Sequence, residues 1–157
     1  MDIPQVKKSG RHVLQRTSGV IAIEFAILTI VLLLIVGGII EFGRIFWHYN
    51  ALTKATRDGA RLLSVASKAS ISTVGVVQAK NLVVASANAA GVIPQLTTAN
   101  VTVACLNNAY QAVACDDGTA PANVEVTVQT TLGVWMPMIL PAGGVTFAPS
   151  TVMRYML

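Results

Sequence analysis

Residues Val20–Ile40 read VIAIEFAILTIVLLLIVGGII, a run of 21 positions whose only charge is Glu24 and whose only other polar side chain is Thr29. Wound as an α-helix, such a run is about 30 Å long, which matches the hydrocarbon thickness of a bilayer. It reads as a transmembrane helix. The whole chain agrees: 157 residues, 54% of them apolar, with a mean hydropathy of +0.64, is too apolar for a soluble domain of this length. A secretory signal peptide has a shorter apolar core and ends in a small-x-small cleavage site. Here the run leaves through Gly37-Gly38-Ile39-Ile40-Glu41-Phe42-Gly43-Arg44 with no Ala-x-Ala site, so the helix is expected to stay with the protein.

Glu24 is the unusual residue of this helix. A carboxylate near the edge of the hydrocarbon costs on the order of 2–3 kcal/mol, which marks it as a functional candidate in need of a partner. A cut after Gly19, within the stretch Ser18–Phe25, would create an α-amino group on Val20, four residues and about one helical turn before Glu24. Ammonium and carboxylate then neutralise each other. Between chains, the same pair would set the axial stagger of packed helices, because each buried charge is satisfied in one register alone. The paired glycines Gly37 and Gly38 admit two readings, a place where the helix bends and a place where helices pack closely.

Charge distribution gives topology. The first 19 residues carry Lys7, Lys8, Arg11 and Arg16 against Asp2, a net +3, while residues 20–157 hold seven basic and six acidic side chains. By the positive-inside rule, residues 1–19 stay cytoplasmic, residues 20–43 cross the membrane once, and residues 44–157 form an exported domain. The net charge of +4 therefore reports orientation and not a nucleic-acid partner. Cys105 and Cys115 are the only cysteines, lie in the exported part and are expected to form a disulfide. Metal binding is the weaker alternative, since the only histidines are His12 in the leader and His48 at the membrane exit.

Beyond the apolar run, Trp47 and Tyr49 stand where an interfacial aromatic belt is expected, with His48 between them as a solvent-edge residue. From Asn50 to Ala66, Lys54, Arg57, Asp58 and Arg61 form a polar face opposite Ala51, Leu52, Ala55, Gly59, Leu62, Leu63 and Ala66. Ala51, Ala55 and Gly59, spaced by four, admit close approach by a sheet or a second helix. That second helix is expected from an N-cap at Ser72 or Thr73 to Ala90, stopped by Gly91 and Pro94 and apolar enough to pack on more than one side. The pattern then changes to period two in Asn100–Cys105 and Asn123–Thr130, with Val124, Val126 and Val128 facing one way. Asp116-Asp117-Gly118 is a turn signal, Pro137, Pro141, Gly143 and Gly144 mark a bend, and Val145–Tyr155 is a last strand made edge or bulged by Pro149. The fold class is α+β: a long N-terminal transmembrane and amphipathic helix, a second helix and a small antiparallel sheet.

These residues carry a family likeness. A basic leader, Gly19, Glu24 five residues on, Phe25, an unbroken apolar helix, Glu41-Phe42-Gly43-Arg44 and Thr56-Arg57-Asp58-Gly59-Ala60-Arg61 together resemble the TadE-like minor pseudopilins of the tight-adherence (Flp) pilus, within the type IV pilin superfamily. The likeness is densest over residues 17–66. It implies that a prepilin peptidase cuts after Gly19, that Val20 becomes the mature N-terminus, and that Glu24 supports assembly. Phe25 stands where major pilins of this system usually have tyrosine, which together with the large exported domain suggests a minor component. The partners implied are the prepilin peptidase, other pseudopilins, the major Flp pilin, the inner-membrane assembly platform and the lipid bilayer, with no cofactor.

Two other function classes compete. An unprocessed single-pass anchor presenting a periplasmic binding domain has no use for an acid at the depth of Glu24. An enzyme fares worse: the exported region holds one histidine, no Gly-x-Ser-x-Gly and no metal-ligand cluster, and Asp116 and Asp117 are explained by turn chemistry.

Overall fold

The computed structural model describes residues 14–135 and 143–157, with side chains from residue 19 onward. The leader basic residues Lys7, Lys8 and Arg11, together with Pro137 and Pro141 of the expected bend, lie outside the described residues. The chain divides into a unit ending at Ile40 and a unit Glu41–Leu157.

The first helix, α1, runs without interruption over Leu14–Ser64, straight through Gly19 and the Gly37-Gly38 pair. Between Val20 and Ile40 almost every side chain is exposed, including Ile21, Phe25, Leu28, Leu33 and Ile39. It is long and apolar enough to cross a membrane. From Glu41 onward the same helix acquires one buried face, formed by Glu41, His48, Leu52, Ala55, Thr56, Gly59, Ala60, Leu63 and Ser64. Lys54, Arg57 and Arg61 remain exposed on the opposite face, as expected from their spacing.

After α1 the chain winds back into helix earlier than Ser72. Ser67 caps a 3₁₀ turn, Lys68–Ser70, by accepting from the Ala69 N–H, and a π turn, Ile71–Gly75, leads into α2, Val76–Ala89. The Asp117 carboxylate accepts the Ser72 N–H at 2.7 Å, and Gly118 N–H donates to the Lys68 carbonyl, so the expected Asp-Asp-Gly turn also holds this start in place. Helix α2 ends as expected, with Gly91 at a φ of +75° just beyond it. It buries a single stripe, Ala79, Val83 and Ala87, and leaves Val77 and Leu82 exposed. The expectation of packing on more than one side is thus not met, because the small residues of this stripe let α1 and the sheet cover it from one direction.

Four antiparallel strands, β1 (Val101–Leu106), β2 (Ala112–Val113), β3 (Asn123–Val128) and β6 (Ser150–Arg154), make a sheet in the order β2-β1-β3-β6. Val124, Val126 and Val128 of β3 are fully buried against the helices, as their alternation requires. One core cluster joins Leu52, Ala55 and Ala60 of α1 to Val83 and Ala87 of α2 and to Val101, Val126 and Val128; a second joins Leu63, Ile71, Ala79, Cys105, Val124 and Tyr155. Cys105 and Cys115 form the disulfide expected from the sequence, tying β1 to the loop after β2. At the chain end, Tyr155 donates its hydroxyl to the Ala66 carbonyl, and burial raises its pKa above the ordinary tyrosine value.

The expected last strand is two. Val145–Phe147 (β5) pairs with Thr130–Leu132 (β4) in a separate two-stranded ribbon, and only Ser150–Arg154 joins the main sheet. The break falls at Pro149, which has no N–H for a ladder but whose carbonyl accepts from Val128. Opposite it, Gln129 leaves the sheet by bonding Asn100 in both directions. Gly144, at a φ of +86°, lies against the Leu132 carbonyl so closely that only a residue without Cβ fits the neck of this ribbon.

The tightest helix crossing is at Gly59. A Cβ there would run into Val83 Cγ2, a branched side chain with no room to retreat. Gly59→Ala is therefore expected to destabilise the domain by about 1–3 kcal/mol through overpacking. The measurement is the denaturant midpoint. Val83→Ala should recover part of the loss in the double variant; equal midpoints for wild type and Gly59→Ala would show that the crossing has slack.

Candidate functional site

The residues singled out from the sequence fall in two places on α1. Gly19, Val20, Glu24 and Phe25 lie on its first turns, all exposed along the helix. Gly19 has nothing within 4 Å of the position a Cβ would take, so a side chain there would meet open space. Thr29 returns its hydroxyl to the Phe25 carbonyl at 2.8 Å, which hides the run's other polar side chain within the helix. Among the described residues, no hydrogen-bond or ion-pair partner neutralises Glu24. Its charge is carried on a surface otherwise apolar.

The second place is the helix exit, and it holds an arrangement not foreseen from the sequence. Glu41 is 2% exposed. Its Oε1 accepts from Arg44 Nη2 at 2.6 Å and from the Trp135 N–H at 3.1 Å, while Oε2 faces Arg44 Nε at 3.4 Å. Arg44 also donates to the Gly133 carbonyl at 2.6 Å, and its guanidinium carbon lies 4.7 Å from the Trp135 ring centroid. The acid and base are three residues apart on one helix face, a spacing that brings their side chains together. Arg44 then serves the carboxylate, a carbonyl and an aromatic face at once, which a planar guanidinium can do and an ammonium cannot. The β4–β5 ribbon delivers Gly133 and Trp135 to this point, so the pair fastens the far end of the ribbon to the helix. The signal available in the sequence was Glu41 and Arg44 at i, i+3 directly after an apolar run; its distant partner Trp135 left none.

One turn further, His48 is buried, and among the described residues its Nδ1 has no hydrogen-bond partner. This corrects the expectation of a solvent-edge histidine. His48 is four residues after Arg44 and four before Leu52, so it belongs to the covered face, whereas its neighbours Trp47 and Tyr49 point elsewhere and are exposed. Tyr49 additionally contacts Phe147 of β5, with ring centroids 5.8 Å apart and planes tilted by 55°. Asp58, Arg61, Leu62, Val65 and Leu82 line a shallow, mostly apolar depression beside the α1–α2 crossing.

Comparison with known proteins adds one positive finding. Residues 19–61 match the model of a family described as TadE-like protein. The matched segment starts at Gly19 and takes in Glu24, Phe25, the Glu41–Arg44 pair and Gly59. Neither the curated proteins nor the solved structures yield a match to this chain.

Glu41→Gln keeps the shape of the side chain and one acceptor oxygen but removes the charge and sets an NH2 donor where the second oxygen accepted from Arg44. Because Arg44 retains 17% exposure, the loss is expected at about 1–3 kcal/mol, below that of a fully buried broken pair. Chemical denaturation of the variant measures it. An unchanged midpoint would mean that the pair contributes no net stability.

Proposed function

We propose that this chain, TadE-like over residues 19–61, is a minor pseudopilin that a prepilin peptidase cuts after Gly19 and that acts in assembly of a tight-adherence (Flp-type) pilus. The observation that carries the reading is the position of Glu24: an exposed carboxylate one turn past an exposed glycine, on a helix otherwise apolar from Val20 to Ile40. Cleavage after Gly19 places the new ammonium of Val20 within about one turn of that carboxylate. In the membrane the two neutralise each other and lower the cost of holding either charge there. In a stack of such helices, the ammonium of one chain and the carboxylate of another select one axial offset, since any other leaves both unpaired in an apolar medium. The apolar surface from Val20 to Ile40 serves both stages, first against lipid and then against neighbouring helices.

The exported domain, from residue 44 on, stands outside the inner membrane in this reading, with residues 1–19 in the cytoplasm before processing. Its partners are the peptidase, other pseudopilins, the major pilin and the assembly platform. The role is structural and not enzymatic. The family likeness supports a pilus-associated protein, and the disulfide suits an oxidising compartment.

Gly19→Leu is expected to leave an uncut precursor, read as an intact mass larger than wild type by the residues 1–19. A mature mass unchanged by the substitution would remove Gly19 as the cleavage site, and a wild-type chain that still carries residues 1–19 would make the protein a plain membrane anchor. Glu24→Ala is expected to leave membrane insertion intact, because an acid is removed from the apolar run, yet to abolish pilus formation. Pili of normal abundance from that strain, seen by electron microscopy, would refute the register argument.

A further inference from the structure

Trp135 is 72% exposed, yet two contacts hold it against the helix. Its backbone N–H is fixed by the buried Glu41 carboxylate, and one face of its ring lies on the Arg44 guanidinium. A large indole mounted on a buried ion pair, with most of its surface left open, is not explained by packing among the described residues. Glu41 is the first residue after the apolar run Val20–Ile40, so the mount sits where that run ends.

The helix itself presents aromatic residues there, since Phe42, Phe46 and Trp47 are all exposed. Glu41, Arg44 and His48 occupy its remaining face and cannot offer an apolar surface of their own. Trp135 stands over that face, so aromatic side chains are present on the polar side of the helix as well. Tryptophan suits a bilayer interface because its ring prefers the acyl boundary while its N–H reaches the headgroups and water.

We propose that Trp135 is a second membrane-interface anchor, supplied by the folded domain and seated at the headgroup level of a phospholipid bilayer, with Glu41 and Arg44 as its positioning residues. The occupant of its exposed surface is lipid and not a second protein chain, because the mount is continuous with the segment that enters the hydrocarbon. A lone helix leaves a domain free to turn about the helix axis. A second contact beside the first selects which face of the domain meets the membrane. The proposal rests on reading Val20–Ile40 as membrane-spanning.

Trp47 and Trp135 are the only tryptophans in the chain, so each can be observed alone. The full chain is reconstituted in phosphatidylethanolamine/phosphatidylglycerol vesicles as Trp47→Phe, which reports Trp135, and as Trp135→Phe, which reports Trp47. Trp135 is expected to show blue-shifted emission and to lose most of its intensity to lipids brominated near the glycerol end of the acyl chain, with less loss to lipids brominated near the methyl end. Water-like emission from Trp135, unquenched by either lipid while Trp47 is quenched, would overturn the anchor and leave the spanning helix standing. Quenching of neither would overturn both. Blue-shifted emission that ignores bromine and varies with the protein-to-lipid ratio would assign the surface to a second copy and overturn the lipid assignment.

Adding Glu41→Gln to the Trp47→Phe chain should remove most of the lipid quenching of Trp135. The same change in the Trp135→Phe chain should leave Trp47 as it was, a split that general unfolding would not produce. Should Glu41→Gln fail to fold, Arg44→Lys supplies the test, since it keeps the charge while losing the flat stacking surface. Quenching of Trp135 indifferent to the folded variant would overturn the positioning role.

Discussion

A single helix carries two kinds of surface, and the rest of the molecule follows from how it changes between them. Over Val20–Ile40, α1 is apolar apart from Glu24 and Thr29, which suits a medium that offers no hydrogen bonds, since the backbone of a helix bonds itself. From Glu41 the same helix carries a covered face and a charged face. The change is abrupt, and it is made by an acid. Glu41 is tolerable there because Arg44 and the Trp135 N–H satisfy its oxygens, so the end of the apolar surface and the attachment of the β4–β5 ribbon are one event.

The two acids of the helix illustrate how burial decides meaning. Glu24 and Glu41 both interrupt or bound an apolar run, and both would be costly alone. Glu41 has found its cation three residues along the same helix and a backbone donor from the far end of the domain. Glu24 is exposed, and in the proposed assembly its cation is the terminus that processing creates. One acid completes a fold within the chain. The other is suited to complete a contact between chains.

Packing beyond the exit depends on small residues. Gly59 lets α2 lie against α1, and Ala55, Ala60, Ala79 and Ala87 keep the helices close to a sheet whose inner face is mostly valine. The disulfide and the Tyr155–Ala66 hydrogen bond tie the loop after β2 and the chain end to this core. The sheet then divides at Gln129 and Pro149, and the ribbon that leaves it reaches the helix exit.

Much of this was legible along the chain. The length and composition of Val20–Ile40 identify the helix, the fourfold spacing of small residues anticipates the close crossing, period-two valines mark β3, and the two cysteines of the sequence form their bond. These are local or periodic signals, set by neighbours within a turn or a strand. The family likeness was legible in Gly19, Glu24 and Glu41-Phe42-Gly43-Arg44 for the same reason, and residues 19–61 carry the family match. What tertiary structure alone decided joins residues far apart in sequence. Glu41 meets Trp135 across 94 positions, Arg44 meets Gly133 across 89, and the Asp117 side chain accepts from Ser72 N–H across 45. Periodicity reports which face of an element is apolar; which distant group will cover that face is settled only when the elements pack.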